Sequence, residues 1–329
     1  MPQPTRSGEN GAMSAPQPPY DGPPVVAVVG STAAGKTSLS LDLAEELGGE
    51  VINTDAFQLY RGMDIGTAKV PVDERRGIAH HLLDVLDITD TATVAEFQQW
   101  ARAAVADVRG RGLVPVLVGG SALYTRAVVD DFTFPGTDPA VRRRLTEELE
   151  ERGVAAMYAR LAEVDPAAAA HIEPANDRRI VRALEVIELT GEPFRATLPP
   201  YAYALPGVVQ IGVRIDRPTL DARIELRVDR MWELGLVDEV RELAECGLRD
   251  GLTAGRALGY QQVLAFLDGR CTEADAREQT VQGTRRFARR QESWFAKDPR
   301  VTWVDHDDPE RLTAALTAVD SRTPGTMER

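Results

Sequence analysis

The stretch VVAVVGSTAAGKTSLSLDLAEEL, residues 25–47, decides the fold of this chain. Gly30, Gly35, Lys36 and Thr37 satisfy the pattern G-x-x-x-x-G-K-[ST]. A β-branched apolar run precedes the loop and a helix-period run follows it, which is the context that this motif requires. Backbone N–H groups and a helix N-terminus form an anion site there, and a lysine adds a full positive charge. The stretch therefore predicts phosphate binding but leaves open whose phosphates are bound.

The composition of the 329-residue chain is typical of a globular protein, with 43% hydrophobic and 27% charged residues. No apolar run approaches the roughly 20 residues that span a bilayer, and residues 1–23 lack the apolar region of a secretory signal. Cys246 and Cys271 have no metal-ligand spacing, so they predict a reducing, cytoplasmic location. The net charge of −13 argues against bulk nucleic-acid binding but allows a local basic path.

Strands and helices alternate over the first part of the chain. Val25–Val29, EVINTD (residues 50–55) and LVPVLVGGS (residues 113–121) are typical of strands, and helical patterns separate them. Thr93 followed by Glu96 predicts a capping box at the start of one helix. This alternation of strands and helices predicts an α/β fold, a P-loop NTPase-like parallel sheet flanked by helices. In such a sheet, ligands bind at the carboxyl ends of the strands.

The pattern of elements changes after about residue 135, and this change predicts a further domain. Residues 136–200 contain three helical patterns with no strand between them, so we expect a small all-helical insertion domain. Residues 24–135 and 206–318 would form the discontinuous catalytic core, with VVQIGVRI and RVTWVD as further strands and three helices between them. Residues 1–23, rich in Pro and Gly, and the polar residues 319–329 are predicted to be disordered tails.

Several polar side chains at predicted strand ends allow both a functional and a structural interpretation. Asp55 ends a strand beside the loop, where it can serve as general base or metal ligand, or only as a turn or N-cap residue. Ser121 can bind phosphate oxygens or cap the following helix. Adjacent His80 and His81 point in different directions in most local structures, which favours a structural or channel-lining role over a metal site.

Arginines cluster in GTRRFARRQ (residues 283–291) and in DRRIVR (residues 177–182). On a helix the arginines of the first cluster fall on one face, and Phe287, Trp294 and Phe295 are expected to face the core. Such runs are often solvated faces, and contact with nucleic-acid phosphates is the alternative.

Seven motifs occur in a fixed order along residues 25–303: GSTAAGKT, NTDAFQLYRGMDIGTAK, HHLLD, VGGSALY, DRRIVRALEV, RALGYQQ and RRFARRQESWF. Together they resemble the tRNA dimethylallyltransferase family, the isopentenyltransferases that modify an anticodon-loop adenosine. The loop motif alone would not be specific, whereas seven ordered motifs are. Two positions depart from the family pattern, since Ser31 stands where Pro is usual and Ala56 where Ser is usual. Ala56 removes one hydrogen bond that the family would make to the RNA.

The resemblance implies a prenyl transfer. Dimethylallyl diphosphate would give its five-carbon group to the N6 amine of the adenosine 3′ of the anticodon, position 37, in tRNAs that read codons beginning with U. Asp55 matches the family's general base, with Lys36, Ser121 and Arg227 as the other catalytic positions, and Mg²⁺ would bind at Thr37. The implied residues for the donor diphosphate are Gly30, Ser31, Thr32, Ala33, Ala34, Gly35, Lys36 and Thr37.

The implied partner is the anticodon stem-loop of tRNA, with the target adenine flipped out of its stack. The family's RNA-contacting positions correspond to Asp55, Ala56, Phe57, Gln58, Ser121, Arg143, Arg178, Arg179, Ile180, Val181, Arg182, Arg256, Ala257, Leu258, Gly259, Tyr260, Gln261, Arg285, Arg286 and Arg289. The insertion would act as a clamp over the RNA. We expect a monomer that does not bind a membrane.

Two other enzyme classes share the loop. A P-loop kinase of a small metabolite would need ATP and ignore RNA, and an isopentenyltransferase of the cytokinin type would act on free adenine nucleotides. The long helical insertion and the separate arginine clusters favour a large polyanionic acceptor over both. Arg227 lies four residues after Arg223 on one helix face, and for it the sequence alone favours a solvated position.

Overall fold

A six-stranded parallel sheet forms the centre of the computed structural model, which describes residues 20–91, 93–196 and 198–321. The strands are β1 (Val25–Val29), β2 (Gly49–Asn53), β3 (His80–His81), β4 (Val114–Val118), β5 (Val208–Arg214) and β6 (Val301–Asp305). Across the sheet their order is β3-β2-β4-β1-β5-β6, and each neighbouring pair is parallel.

Helices account for most of the remaining regular structure. They are α1 (Lys36–Glu46), α2 (Val94–Gly110), α3 (Ala122–Val129), α4 (Pro139–Val164), α5 (Pro166–Ala169), α6 (Asp177–Thr190), α7 (Arg217–Glu233), α8 (Leu236–Glu245), α9 (Tyr260–Leu267), α10 (Glu273–Phe295) and α11 (Arg311–Asp320). Two short 3-10 turns lie at Val72–Arg75 and Ala254–Arg256. Among the described residues, no helix combines the length and apolarity needed to cross a bilayer.

Strand β1 lies inside the sheet and is buried on both faces. Val26 and Val28 join the core beneath α1, α7 and α11, whereas Val25, Ala27 and Val29 join the core beneath α2 and α3. Because a parallel sheet is covered on both faces, such a strand is a continuous apolar run, as VVAVV is. β4 and β5 flank β1 on opposite sides, so the strand order reverses at β1, and the crevice at its carboxyl end is where such sheets bind ligands. The predicted α/β class is confirmed.

The chain divides into two compact units, residues 20–130 with 203–321 and residues 131–202. The second unit packs α4, α5 and α6 around its own apolar cluster. Gly153, with φ of 79°, interrupts α4, so two of the three predicted helical patterns form one broken helix. The short α5 was not predicted.

A buried carboxylate organises the second unit. The side chain of Glu185 is fully buried and accepts hydrogen bonds from the hydroxyl of Thr137 at 2.6 Å and from the guanidinium groups of Arg142 and Arg182. Burial alone would raise the pKa of Glu185, but the hydrogen bonds from Arg142, Thr137 and Arg182 outweigh burial and lower it to about 2. The carboxylate therefore stays charged at neutral pH and ties α4 to α6.

The local predictions hold best where a short motif has one physical solution. The capping box is confirmed, since Thr93 Oγ1 accepts the N–H of Glu96 at 3.2 Å and the Glu96 carboxylate accepts the N–H of Thr93 at 3.0 Å. The two-residue strand β3 and the eight-residue helix α9 were not predicted. Helix α11 after β6 was not predicted either, and it buries Ala315 and Val319 against the core.

The predicted disordered tails lie mostly outside the described residues, which begin at residue 20 and end at residue 321. Two of the boundaries need correction. Tyr20 lies within the predicted N-terminal tail, yet the Arg109 guanidinium lies over its ring at 4.6 Å. At the other end, residues 319 and 320 belong to α11.

Candidate active site

The loop between β1 and α1 adopts a conformation that favours glycine at two points. Gly30 and Gly35 have φ values of 138° and 101°, and a Cβ at Gly30 would lie 3.0 Å from the carbonyl oxygen of Val213 on β5. Helix α1 begins at Lys36, and no described side chain caps its N-terminus. Its first N–H groups therefore remain available to an anion.

A cavity of about 250 Å³ opens beside this loop, at the carboxyl ends of β1, β2 and β4. Residues from seven separate parts of the chain meet in it, among them Thr32, Thr37, Asp55, Gln58, His80, Arg227, Phe287 and Gln291. The structure thus brings the loop, Asp55 and Arg227 together, although the sequence indicated each of them separately. His80 also lines this cavity, in agreement with the channel-lining role that was one of the alternatives to a metal site.

Two cations face the cavity. The Nζ of Lys36 donates to the carbonyl oxygen of Ser31 at 2.7 Å, and an Nη of Arg227 donates to the carbonyl oxygen of Thr67 at 3.4 Å. Within the described residues, neither cation has a carboxylate oxygen within 4.0 Å. Burial and the Arg227 guanidinium lower the pKa of Lys36 to about 7, while the Asp55 carboxylate acts in the opposite direction. Arg227 is therefore not on a solvated face, contrary to the interpretation favoured by its spacing alone.

Asp55 is held by an amide on the strand that precedes it. Asn53 Oδ1 accepts the N–H of Asp55 at 2.8 Å, and Asn53 Nδ2 donates to the carbonyl oxygens of Asp55 and Leu82. One carboxylate oxygen of Asp55 accepts the N–H of Phe57 at 2.9 Å, which is the turn geometry anticipated as the structural alternative. In the described part of the chain the other oxygen has no hydrogen bond and remains able to accept one.

Ser121 takes the capping position that the sequence left open. It is the N-cap of α3, and its Oγ accepts the N–H of Tyr124 at 3.4 Å. Gly119 and Gly120 line the cavity, whereas Ser121 is not among the described lining residues. The hydroxyl of Thr37, at the start of α1, does border the cavity. No group of three or more His, Cys, Asp or Glu side chains suited to a metal occurs among the described residues.

Thr67 and Ala68, which line the cavity, belong to a loop, residues 64–69, that other parts of the chain hold in place by hydrogen bonds. Gln58 Nε2 donates to the carbonyl oxygens of Thr67 and Ala68 at 3.1 and 3.4 Å. The Glu239 carboxylate on α8 accepts three successive loop N–H groups at 3.1, 2.7 and 3.3 Å. It also accepts the hydroxyl of Tyr260 at 2.6 Å. Sequence reasoning missed Glu239, because an acidic residue on a helix carries no local sign of a distant loop.

The hydrogen bond from Tyr260 to Glu239 changes the interpretation of RALGYQ, residues 256–261. The side chains of Ala257 and Tyr260 are buried and are not available as surface contacts for RNA. Leu258 is half-buried and packs against Gly283 of α10. Gly259, with φ of 90°, precedes α9 and lets the chain turn into the helix. The side chains of Arg256 and Gln261 are exposed and stay candidates.

The predicted basic face of α10 is only partly free. Arg285 pairs with Glu225 at 2.9 Å, so its charge is already matched. Arg286 and Arg289 are exposed, and in the described residues they form no ion pair. Phe295 is buried as expected, but Trp294 is 46% exposed, so the expectation that it faces the core was wrong. Phe287, seven residues before Trp294 and so on the same side of α10, borders the open cavity instead of a packed layer.

In the second unit, the predicted RNA-contacting residues fall into three groups. Arg143 and Arg178 are exposed. Arg179 donates to the carbonyl oxygen of Ala196, and Arg182 binds Glu185 and the carbonyl oxygens of residues 135 and 136. The side chains of Ile180 and Val181 are buried in the unit's own core, so contact of these two residues with RNA, which stays a prediction, would have to come from their backbone.

Gln291 on α10 lines the cavity, and the sequence analysis assigned it no role. Its Oε1 accepts the N–H of Thr32 at 2.8 Å, a contact across 259 residues. The sequence showed only that a glutamine follows a basic cluster. Nothing in a local pattern indicates that its side chain turns inward.

A parallel sheet whose phosphate-type loop opens onto a cavity with two cations and a carboxylate defines a P-loop protein built to bind a phosphorylated ligand. The family model described as IPP transferase matches residues 58–298, and the chain belongs to this family.

Curated relatives and solved structures agree with that assignment. The chain is 63% identical over 302 residues to a tRNA dimethylallyltransferase of Nocardioides sp., covering 92% of this chain and 97% of that protein. It is 60% identical to the tRNA dimethylallyltransferase of Thermobifida fusca, covering 90% and 94%.

Among solved structures, a full-length tRNA isopentenylpyrophosphate transferase from Bacillus halodurans superposes with a TM-score of 0.67 at 38% identity, covering 91% of this chain and 98% of that chain. A eukaryotic dimethylallyltransferase acting on tRNA superposes with a TM-score of 0.77 at 26% identity, covering 93% and 81%. The resemblance inferred from the seven motifs is thereby confirmed at the level of the family.

Proposed function

We propose that this chain transfers the dimethylallyl group of dimethylallyl diphosphate to the N6 amine of adenosine 37 in tRNA and releases diphosphate. The observation that carries the proposal is the single cavity in which Lys36, Arg227 and Asp55 meet beside the phosphate-type loop. Two cations suit a leaving diphosphate, and one carboxylate suits the proton of an attacking amine. The names of the relatives supply the class of donor and acceptor.

The cations act where charge develops. As the allylic C–O bond breaks, negative charge accumulates on the diphosphate, and donors placed beforehand stabilise it without reorganising. Lys36, Arg227 and the free N–H groups at the start of α1 supply such donors. The five-carbon fragment needs less help, because its positive charge is delocalised over the allyl system.

Mg²⁺ fits the oxygen ligands at this site. Mg²⁺ is usually held by one or two protein oxygens together with substrate phosphates and water. The Thr37 hydroxyl and the diphosphate oxygens would provide such a set. When bound, the ion would neutralise charge on the leaving diphosphate.

Asp55 is the proposed general base. An exocyclic adenine amine is a weak nucleophile because its lone pair is shared with the ring, so removal of its proton during attack lowers the barrier. The hydrogen bond from the N–H of Phe57 fixes one oxygen of Asp55, and the other remains free for the amine.

The acceptor is the anticodon stem-loop of tRNA, with its adenine turned out of the stack toward the cavity. Arg286 and Arg289 on α10 and Arg143 and Arg178 in the second unit are exposed cations suited to phosphates, which position an RNA without reading its sequence. The free thiols of Cys246 and Cys271 are consistent with a reducing cytoplasm. The monomeric state stays a prediction.

A labelling experiment tests the proposal against its rivals. The purified chain is incubated with Mg²⁺ and radiolabelled dimethylallyl diphosphate, together with tRNA, free AMP or ATP. We expect label in tRNA, located by nuclease mapping to the adenosine next to the anticodon. Label in AMP but not in tRNA would identify the nucleotide-modifying class. ATP consumption without prenyl transfer would identify a kinase.

Replacing Asp55 tests its role as base. In Asp55→Asn the amide oxygen can still accept the N–H of Phe57, so the turn persists while proton acceptance is lost. We expect kcat to fall by at least about 100-fold, the usual contribution of a general base, while tRNA affinity stays within about twofold. Asp73→Asn, an exposed carboxylate outside the cavity, is the matched control. Lost tRNA binding with unchanged kcat would assign Asp55 to recognition instead.

A further inference from the structure

Helix α10 carries two kinds of polar side chain. Arg286 and Arg289 project into solvent, whereas Gln291 is only 5% exposed. A buried amide is costly unless its polar atoms find partners. Because neighbouring residues on an α-helix point about 100° apart, one helix can present cations to RNA and an amide to the interior.

The buried amide reaches two loops of the cavity at once. Its Oε1 accepts the N–H of Thr32 at 2.8 Å, so it holds the middle of the loop between β1 and α1, residues 30–35, which we call the donor loop. A Cβ at Gly120 would lie 2.2 Å from its Nε2, so the amide packs directly on the backbone that follows β4. Thr32, Gly120 and Gln291 all line the cavity. The side chain of Gln291 therefore sets the spacing between two sides of the cavity.

This contact fixes a part of the loop that glycines leave free. Gly30 and Gly35 allow the loop to approach a diphosphate closely, but they also give it many alternative conformations when it is empty. The hydrogen bond that the N–H of Thr32, between these glycines, donates to Gln291 Oε1 removes part of that freedom before the donor arrives. A loop that is ordered in advance binds its ligand more tightly, because less conformational entropy is lost on binding.

We propose that Gln291 is a positioning residue that anchors the donor loop to the helix that faces the tRNA. This inference rests on the proposed function, since it assumes that the loop holds the donor diphosphate. Gln291 touches the loop and not the reacting atoms. It acts by setting the conformation in which Thr32 and its neighbours meet the diphosphate.

Gln291→Met tests the anchor, because methionine has nearly the same length and offers the amide N–H only a weak thioether acceptor in place of the amide oxygen. Gln282→Met is the matched control, an exposed glutamine on the same helix. We measure the dissociation constant for inorganic pyrophosphate with Mg²⁺ by calorimetry, and the KM values for dimethylallyl diphosphate and for tRNA. We expect Gln291→Met to weaken pyrophosphate and raise the donor KM by about three- to tenfold, the effect of one lost hydrogen bond, with the tRNA KM unchanged.

A purely structural role would lower the thermal midpoint of Gln291→Met and leave the pyrophosphate affinity and the donor KM of the folded fraction as in Gln282→Met. That result would overturn the inference. If Gln291→Met does not fold, Gln291→Ser takes its place, since its shorter side chain cannot span the distance to the N–H of Thr32. We then expect the same rise in the pyrophosphate dissociation constant relative to Gln282→Met, and an unchanged affinity would overturn the inference.

The outcomes separate this inference from the proposed function. Wild-type chain that prenylates tRNA while Gln291→Met matches Gln282→Met leaves the function in place and removes the anchor. Wild-type chain that neither binds pyrophosphate nor transfers the prenyl group removes both.

Discussion

We expect pyrophosphate binding to depend on pH through Lys36. Burial and the neighbouring Arg227 lower its pKa to about 7 in the free protein. A bound pyrophosphate brings negative charge to the Nζ and raises the pKa back toward its ordinary value of 10.5. Below pH 7 the lysine is largely charged in both states, so this group adds little pH dependence. Above pH 7 the free protein loses the proton, and binding must restore it.

The size of the effect follows from that difference. While the pH lies between the free and the bound pKa, the dissociation constant rises by up to about tenfold per pH unit. From about pH 7 to about pH 8.5 the charged fraction of free Lys36 falls from about one half to about 3%, which predicts a dissociation constant about sixteenfold higher. The sign is fixed, because the ligand raises the pKa and affinity must therefore fall as the pH rises.

Calorimetry of pyrophosphate with Mg²⁺ over this pH range measures the effect, and two buffers with different ionisation enthalpies count the protons taken up. Lys36→Arg is the matched control, because its guanidinium stays charged throughout and the ionisation of the ligand is common to both proteins. We expect the wild-type dissociation constant to climb relative to that of the variant, with close to one proton taken up at pH 8.5. Parallel curves and no extra proton uptake would refute the reasoning and place an ordinary lysine in the cavity.

Two further predictions concern stability. Tyr260→Phe removes a 2.6 Å hydrogen bond to the Glu239 carboxylate, so urea unfolding should show a loss of about 1.5–3 kcal/mol with tRNA affinity retained; lost tRNA affinity at unchanged stability would return Tyr260 to the RNA surface. Glu185→Gln should destabilise the protein by about 1.5–3 kcal/mol at pH 7. Because folding lowers the pKa of Glu185 from 4.5 to about 2, its contribution is present above pH 4.5 and is lost as pH falls toward 2. The difference from wild type in urea unfolding should shrink over that range, and a constant difference would contradict it.

Much of the fold was predictable because its signals are local. VVAVV before the loop marks a strand covered on both faces, and Thr93 with Glu96 fixes the start of α2. Both follow from interactions within a few residues. The two-residue β3 and the short α9 are too brief for periodicity to show, and α9 depends on packing of its side chains under α8 and α10.

The residues that line the candidate site were largely predictable from the sequence, whereas the distant residues that hold its loops in place were not. The loop and Asp55 each end a strand, so the topology of a parallel sheet brings them to one edge. Gln291 with Thr32 and Glu239 with loop 64–66 join residues more than 170 positions apart. Such pairs depend on how helices pack on the sheet, which no single stretch of sequence records. For the same reason, periodicity placed Trp294 toward the core, whereas its side chain is exposed.

The place where the helical insertion leaves the core has its own consequence. Asp130 and Tyr203 form an antiparallel bridge, and the N–H of Ala204 donates to the carbonyl oxygen of Val129 at 2.8 Å. Arg300 grips both oxygens of buried Asp130 at 2.7 and 3.1 Å. The segment that leaves the core and the segment that returns to it are therefore paired side by side. Because the core itself holds these two chain segments together, we expect a change in the length of residues 131–202 to leave the register of the core strands unaltered.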